Sequence, residues 1–553
     1  MSLKPSPIEA IPAETERVAR AAFPRGTTIT RLRDGFTELY RDEDFASLYP
    51  RRGQPGLAPW RLALVTVFQF LEHLSDRQAA DAVRSRIDWK YALGLELTDP
   101  GFHFSVLTEF RDRLLKAEAE HLLLDRMLAH FKARGLLKAR GRQRTDSTHV
   151  LAAVRDLRLL ELTTETLRAT LNELAVAAPE WLGEVAQPEW FERYARRAED
   201  WRLPGGSRPK REAYAQQVGA DGVRLLAALD EPSAPPAAGQ VPTLPLLRQV
   251  LWTYFDRGAD GTLRWRDGAE LPPVGERIQT PYDPEMHYST KRGMEWSGYK
   301  VHVTETCEAT AVNLITHVET RPAMEPDMNA LASIHARLAQ RELLPDEHFV
   351  DSGYVNAGLI VSSQRDHGVS LQGPVRGLSA KAVKAEQGYD LPHFAIDWTR
   401  EQVTCPQGNV SVGWSTKSDT AGQTRIHVRF GRADCGSCEA RPSCTTSKAA
   451  RRMLFFHPRE QYEALNAARA RMHDPEWKQR YRVRAGVEGT LSQGVRAFGM
   501  RRSRYIGMAK TGLQQVLAAV GINTARVVAW LDDRPKRAAT RISRFARLNP
   551  RGT

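Results

Sequence analysis

Arg142–Val150 reads RQRTDSTHV, and taken as a short strand it fixes where the sheet of this chain begins. Leu- and Glu-rich, helix-forming sequence comes next, over 156–230, and then the low-complexity linker EPSAPPAAGQVP at 231–242. Strands resume as YKVHVTET (299–306) and AVNLITHVET (311–320). A helix over 327–340, the strand EHFVDSGY (347–354), a helix over 355–364 and the strand GVSLQGP (368–374) complete the series. Strand, interruption, two strands, helix, strand, helix, strand is the order of a mixed α/β sheet with a large helical insertion after its first strand.

Around this sheet the chain divides into a helical N-terminal region (1–138), the first core strand (139–155), a helical insertion and linker (156–280) and the main core (281–378). A cysteine-bearing insertion (379–454), C-terminal core helices (455–530) and a basic tail (531–553) follow. In the N-terminal region, PWRLALVTVFQFLEHLS (59–75) reads as one helix opened by Pro59. LSDRQAADAVRSRIDWKYALGL (74–95) starts at a Ser75 cap and shows two short helical patterns in succession. That spacing predicts either a helix-turn-helix, with Arg77, Arg84 and Arg86 near a phosphate backbone, or a plain helical bundle. The stretch from Ser105 to basic and glycine stop signals around 132–135 reads as one amphipathic helix.

At 553 residues the chain exceeds what one core can fill. Its 42% hydrophobic and 26% charged content are those of a soluble globular protein. The longest apolar run, LALVTVFQFL (62–71), is about half of what a bilayer crossing needs. MSLKPSPIEAIPAETER lacks the apolar core of a signal peptide, and five cysteines do not make a disulfide scaffold. These features predict a cytoplasmic protein with no membrane partner.

The net charge is +13, and its placement is uneven. Gly489–Thr553 carries thirteen Lys and Arg against Asp532 and Asp533, or +11 of the total. A concentrated basic segment predicts a polyanionic partner, nucleic acid first, because neutralised phosphates release counterions. The alternative is a solvated tail without a ligand.

Three acids stand where phosphoryl-transfer chemistry would need them. Two divalent cations about 3.5–4 Å apart can activate an attacking oxygen and stabilise a leaving one, and they require carboxylates converging from separate elements. Asp146 is placed at the end of the first strand. Asp351 in HFVDSGY ends a later strand, with Gly353 allowing a sharp turn. Glu488 in YRVRAGVEGTLSQGV (481–495) shares a helix face with Tyr481 and Arg484, the three falling within roughly 60°. Taken singly, each aspartate also reads as a turn or cap residue, and Glu488 as a helix pair with Arg484.

D-S-T after a strand, V-D-S-G-Y after a later strand and Y-x2-R-x3-E on a late helix together resemble the DDE transposases of bacterial insertion sequences. More narrowly, they resemble the branch with a Tyr-Arg-Glu-Lys helix signature. The resemblance spans nearly the whole chain and implies a ribonuclease-H-like core broken by insertions, with GYKVHVTET as its second strand. It implies that Asp146, Asp351 and Glu488 bind two Mg²⁺ (or Mn²⁺) ions, and that Tyr481 and Arg484 contact DNA. The basic residues Arg496, Arg501, Arg502 and Arg504 are further expected DNA contacts. The signature's lysine is missing, since position 495 is Val and Arg496 is one step beyond.

The implied activity is hydrolysis of a phosphodiester at an element end, then attack of the freed 3′-hydroxyl on target DNA. A homodimer on paired ends and a nucleoid-associated location go with it. A nuclease without strand transfer and an inactive, transposase-derived DNA-binding protein are the alternatives. Glu305, Asp283 and Asp366 are competing acids, and His149 reads as a general base or as a stacked or capping histidine.

CPQG (405–408) and CGSCEARPSC (435–444) supply Cys405, Cys435, Cys438 and Cys444. These are either four soft ligands for a structural Zn²⁺ or buried free thiols.

Overall fold

A computed structural model describes residues 2–532, except 201–202, 204–206, 259–262, 267, 292, 377–388, 420–421, 446 and 450, together with Phe545. The expected basic tail therefore lies almost wholly outside the described residues, as does the start of the cysteine-bearing insertion. The chain forms two compact units. One comprises Met1–Leu137, Glu308–Ile315 and Val516–Thr553, the other Lys138–Cys307 and Thr316–Gln515.

The first unit is helical. Pro59–Leu71 begins with Pro59 in its first turn, and nearly all of its residues are buried, so this is a core helix rather than an amphipathic surface one. Ser75 caps Asp76–Ser85 in a capping box with Gln78. The helix-turn-helix expectation for 74–95 does not fit. Only Arg86 separates Asp76–Ser85 from Ile87–Leu93, and Asp88 to Leu93 are all buried. A recognition helix needs an exposed face to enter a groove, and this one has none. The three arginines are engaged as well: Arg77 lies over the Phe104 ring, Arg84 pairs with Asp81, and Arg86 pairs with Glu72 and Asp88. The single helix expected from Ser105 is two, Ser105–Lys116 and Leu122–Ala133, with Glu118 at φ +52° in the break.

The second unit is built on a mixed sheet. Its strands are β1 (Arg142–Leu151), β4 (His287–Lys291), β5 (Met294–Thr306), β6 (Ile315–Pro322), β7 (Glu347–Phe349) and β8 (Ser370–Gln372). The order is β4-β5-β1-β7-β8, with β6 also on β5. β1 runs antiparallel to β5, Gln143 opposite Thr306 and Leu151 opposite Gly298, and parallel to β7. The helices Ala330–Gln340 and Ala357–His367 join the last strands, which is the ribonuclease-H-like arrangement. Asp146 sits in the middle of β1, not at its end, because pairing with β5 extends the strand to Leu151.

Two insertions carry their own cores. After β1 come helices Leu159–Ala177, Pro179–Val185, Pro188–Arg193, Arg208–Leu229 and Leu244–Tyr254, and the hairpin of β2 (Phe255–Arg257) and β3 (Leu263–Trp265). The 231–242 segment is not a free linker, since Ala238 and Val241 are buried in this core. After β8, β9 (Ala395–Asp397) pairs with β10 (Gln402–Thr404). A second small sheet comes next, of β11 (Gly413–Ser418), β12 (Thr424–Arg429) and β13 (Met453–Phe456). Phe394, Val403, Val428 and Phe456 fill the space between them. Among the described residues no helix is long and apolar enough to cross a membrane.

Candidate active site

Strand register brings the two aspartates together. Arg144 of β1 pairs with Phe349 of β7 in a parallel ladder. Asp146 and Asp351 each lie two residues further on, so both emerge at the same level and on the same side. Asp351 is the N-cap of the short 3-10 turn Ser352–Tyr354, its side chain accepting from the Gly353 N–H at 2.8 Å. Gly353 has no unusual φ, and what it supplies is room for the two carboxylates beside it. A Cβ there would lie 3.0 Å from Asp351 Oδ1 and 3.3 Å from Asp327 Oδ2.

The third acid is delivered by the helix Gly486–Ala497, continuous with the turn Arg482–Ala485. Arg144 docks that helix. Its Nε and Nη2 bond Glu305 at 2.8 and 2.7 Å, and Nη1 reaches the Val483 carbonyl. Thr490 Oγ1 donates to the other Glu305 oxygen at 2.6 Å. A Cβ on Gly486 would collide with the Arg144 guanidinium, so glycine sets how close the helix comes. Glu305 is thus a structural acid. Asp283, bonded by Tyr299, and Asp366, paired with Arg365, are also committed elsewhere.

All three carboxylates meet on one side chain. Arg484 Nη2 lies 2.6 Å from Asp146 Oδ2 and 3.8 Å from Asp351 Oδ2, and Nη1 lies 3.1 Å from Glu488 Oε1. Asp146 is buried and Glu488 exposed. Burial pushes the Asp146 carboxyl up to about 6, against the pull of Arg484 and of the Ser147 N–H. Burial works against the charge of Arg484, but Asp146, Tyr481, Asp351 and Glu488 outweigh it and raise its pKa.

Tyr481 is tied to the sheet beside Asp351. Its hydroxyl donates to the Val350 carbonyl at 2.9 Å, next to Asp351, and its ring stacks on Trp477 at 4.9 Å. Trp477 Nε1 in turn donates to Gln372 of β8 at 2.8 Å. Tyr354 follows Asp351 and is locked by His302 Nδ1 at 2.6 Å. Lys300 holds Asp327 at 2.9 Å.

His149 is three residues from Asp146 and so on the opposite face of β1. Its ring lies against Trp296 with centroids 5.2 Å apart and planes tilted by 37°, and burial pushes it down to about 4; its place on the opposite face turns it from these carboxylates. Arg496 and Arg502 are exposed, and Val495 is partly buried. Arg501 Nη1 donates to the His149 carbonyl at 2.8 Å, and the Arg504 N–H to Gln514 at 2.7 Å.

Cys405, Cys435, Cys438 and Cys444 line one small apolar cavity of about 30 Å³. Cys405 heads a tight turn closed by the Gly408 N–H on its carbonyl at 2.9 Å, and the Arg452 N–H approaches Cys435 Sγ at 3.5 Å. Burial raises the Cys444 thiol. Among the described residues no three His, Cys, Asp or Glu side chains are gathered closely enough to hold a metal as they stand. At the carboxylates, the Arg484 guanidinium stands between the acids. The donor set itself, hard carboxylate oxygens open to solvent on the Glu488 side, fits Mg²⁺ or Mn²⁺.

Sequence reasoning missed the Arg144–Glu305–Thr490 clamp, the His302–Tyr354 bond and Asp327. Gly486, two residues before Glu488, was the one local signal of a close approach. A family model described as "Transposase DDE domain" matches residues 404–528, which include Arg484 and Glu488. A second, described as "Transposase domain (DUF772)", matches residues 18–113. No curated protein matches the chain.

Proposed function

The chain is a DDE transposase of the insertion-sequence kind, and from that premise we propose that Asp146, Asp351 and Glu488 are its metal-binding catalytic triad. The observation that carries this reading is the meeting of all three carboxylates on the Arg484 guanidinium. Two divalent ions, Mg²⁺ or Mn²⁺, held there would supply Lewis acidity to the attacking and leaving oxygens of a phosphodiester.

The chain's own residues do the rest. Strand register sets Asp146 and Asp351 side by side, the Ser147 and Gly353 N–H groups bond their carboxylates, and the Tyr481 and Tyr354 hydrogen bonds brace the chain on either side of Asp351. Glu488, exposed on its helix, completes the set from the open side. Arg484 must leave the acids for a metal to enter, and its freed charge then faces the DNA phosphate. Arg496, Arg501, Arg502 and Arg504 add positive charge along the same segment. On this reading the chain hydrolyses the element end and then directs the freed 3′-hydroxyl against target DNA.

Binding paired ends implies a homodimer, and DNA binding implies association with the nucleoid in the cytoplasm. The four cysteines facing one cavity support a structural Zn²⁺ that would draw their thiolates inward and stiffen the insertion. Zinc content by elemental analysis, and its loss in Cys435→Ser, tests that assignment.

Incubating the protein with a short end duplex, plasmid and Mg²⁺ tests the function. Joined 3′-end products are expected. They should fall by at least about 100-fold in Asp146→Asn, Asp351→Asn and Glu488→Gln, the scale lost with one transition-state stabiliser. Cleavage without joining would identify a nuclease instead, and full activity in the variants would remove the triad.

A further inference from the structure

Strand β5 serves the acidic site from both of its faces. On one face Glu305 holds the Glu488 helix through Arg144 and Thr490. Lys300 and His302 lie an odd number of residues away and so project from the other face, opposite His149 and Ser147 of β1. What they hold there is the turn Ser352–Tyr354, which follows Asp351.

Tyr354 is bonded to His302 Nδ1 at 2.6 Å. The middle of the turn is reached through Asp327. Asp327 Oδ1 pairs with Lys300 Nζ at 2.9 Å, and the same ammonium donates to the Glu325 carbonyl at 2.6 Å. On its other side Asp327 packs against Gly353, where a Cβ would lie 3.3 Å from Asp327 Oδ2 and 3.6 Å from Asp327 Cβ. Asn356, the N-cap of the next helix, donates to Met328 Sδ at 3.4 Å. The turns Asp327–Asn329 and Ser352–Tyr354 are thereby fastened to each other and to β5.

The pair at the root of this support is buried, the side chains of Lys300 and Asp327 being 12% and 11% exposed. A buried ion pair adds little net stability over apolar residues of the same volume, because desolvation offsets the attraction. What it does supply is a fixed geometry, here from an ammonium already anchored on a backbone carbonyl. Lys291, 4.0 Å from Asp327 Oδ2 and half exposed, adds little to it.

That geometry bears on Asp351. Its carboxylate accepts from the Gly353 N–H at 2.8 Å and lies 3.8 Å from Arg484. Metal entry displaces Arg484, and the Gly353 amide then carries the orientation of Asp351. Gly353 in turn rests on Asp327.

We propose that Lys300 and Asp327 are positioning residues for Asp351, holding the Ser352–Tyr354 turn so that this carboxylate keeps its place at the metal site once Arg484 has swung away. This rests on the triad reading, and it assigns neither residue a contact with metal or DNA.

The test is Mn²⁺ titration by calorimetry without DNA, beside thermal unfolding without metal. Wild type is compared with Lys300→Met and with Lys300→Met/Asp327→Asn, at a temperature where all three are folded. Lys300→Met leaves a buried carboxylate unpaired and should lower the melting temperature, whereas the double variant removes that charge and should recover most of the loss. Mn²⁺ affinity should fall by about 10- to 100-fold in both, the scale lost when a supporting partner of a metal ligand is removed. Recovery of affinity together with melting temperature in the double variant would make the pair a stability element and overturn the proposal. A double variant that recovers neither would make it a fold requirement and overturn it too, as would wild-type affinity in Lys300→Met. Asp146→Asn separates this outcome from failure of the triad. Unchanged Mn²⁺ heat in that variant would remove the triad itself, whereas lost heat there with wild-type affinity in the Lys300 variants would overturn the positioning role alone.

Discussion

Arg484 Nη2 lies 2.6 Å from Asp146 Oδ2, across 338 positions of chain, while the same guanidinium meets Glu488 one helical turn on at 3.1 Å. The second contact follows from helix geometry and says little by itself. The first is tertiary, and it draws β1, the turn after β7 and the late helix to one point. Three carboxylates against one guanidinium leave the point net acidic, which is the electrostatic condition for a divalent cation to displace the arginine.

Arg484→Ala should expose that condition. Without the guanidinium, buried Asp146 loses its ion-pair partner, and the metal-free protein should lose about 3–5 kcal/mol, the scale of a broken buried pair. Mg²⁺ or Mn²⁺ should then raise the melting temperature more in the variant than in wild type. Thermal unfolding with and without metal reads both effects. Equal metal-induced shifts would mean that the arginine does not occupy the metal's place.

Asp146 gives a pH dependence whose sign is fixed. Its folded pKa of about 6 lies above the ordinary value of 3.8, chiefly through burial. Between those values the folded protein binds more protons than the unfolded chain, so this group's contribution falls as pH rises and levels off above about 6. About two units correspond to roughly 3 kcal/mol. Asp146→Asn does not titrate, so in metal-free buffer its stability relative to wild type should improve by about 2–3 kcal/mol from pH ~4 to pH ~7. Urea unfolding at both pH values checks this, and an unchanged difference would contradict it.

The helix that carries Glu488 depends on a buried clamp. Glu305→Gln leaves the Arg144 charge without its partner and should cost about 3–5 kcal/mol. Gly486→Ala forces the helix off the Arg144 guanidinium and should cost about 1–3 kcal/mol. Because it displaces Glu488, Gly486→Ala should also reduce metal-dependent cleavage by more than its stability loss explains. Parallel urea unfolding and cleavage assays at a temperature where both proteins are folded would show this. Wild-type cleavage in a folded Gly486→Ala protein would mean that helix position does not matter.

The strands and helices of the core were legible because each announces itself locally, through β-branched runs such as YKVHVTET and a proline or serine at a helix start. The pairing of Asp146 with Asp351 was legible only through the resemblance to a family. Parallel register between β1 and β7 joins residues some two hundred positions apart, and nothing local encodes it. For the same reason Glu305 read as a rival acid, since its partner Arg144 lies on a different strand and Thr490 on a late helix. The 74–95 segment misled in the opposite direction. Its helices and its Ser75 cap are real, but burial of the second helix depends on neighbours that the local pattern does not show. The Tyr481 hydrogen bond to Val350, which spans 131 positions, likewise had no local sign.

The most direct measurement is anomalous diffraction at the manganese edge from crystals of the protein grown with Mn²⁺. The triad predicts a peak at about 2.1–2.2 Å from carboxylate oxygens of Asp146 and Asp351, within reach of Glu488, with the Arg484 side chain swung out of its present contacts. Well-ordered crystals with Mn²⁺ bound elsewhere, or with Arg484 still seated on the three acids at saturating metal, would contradict it.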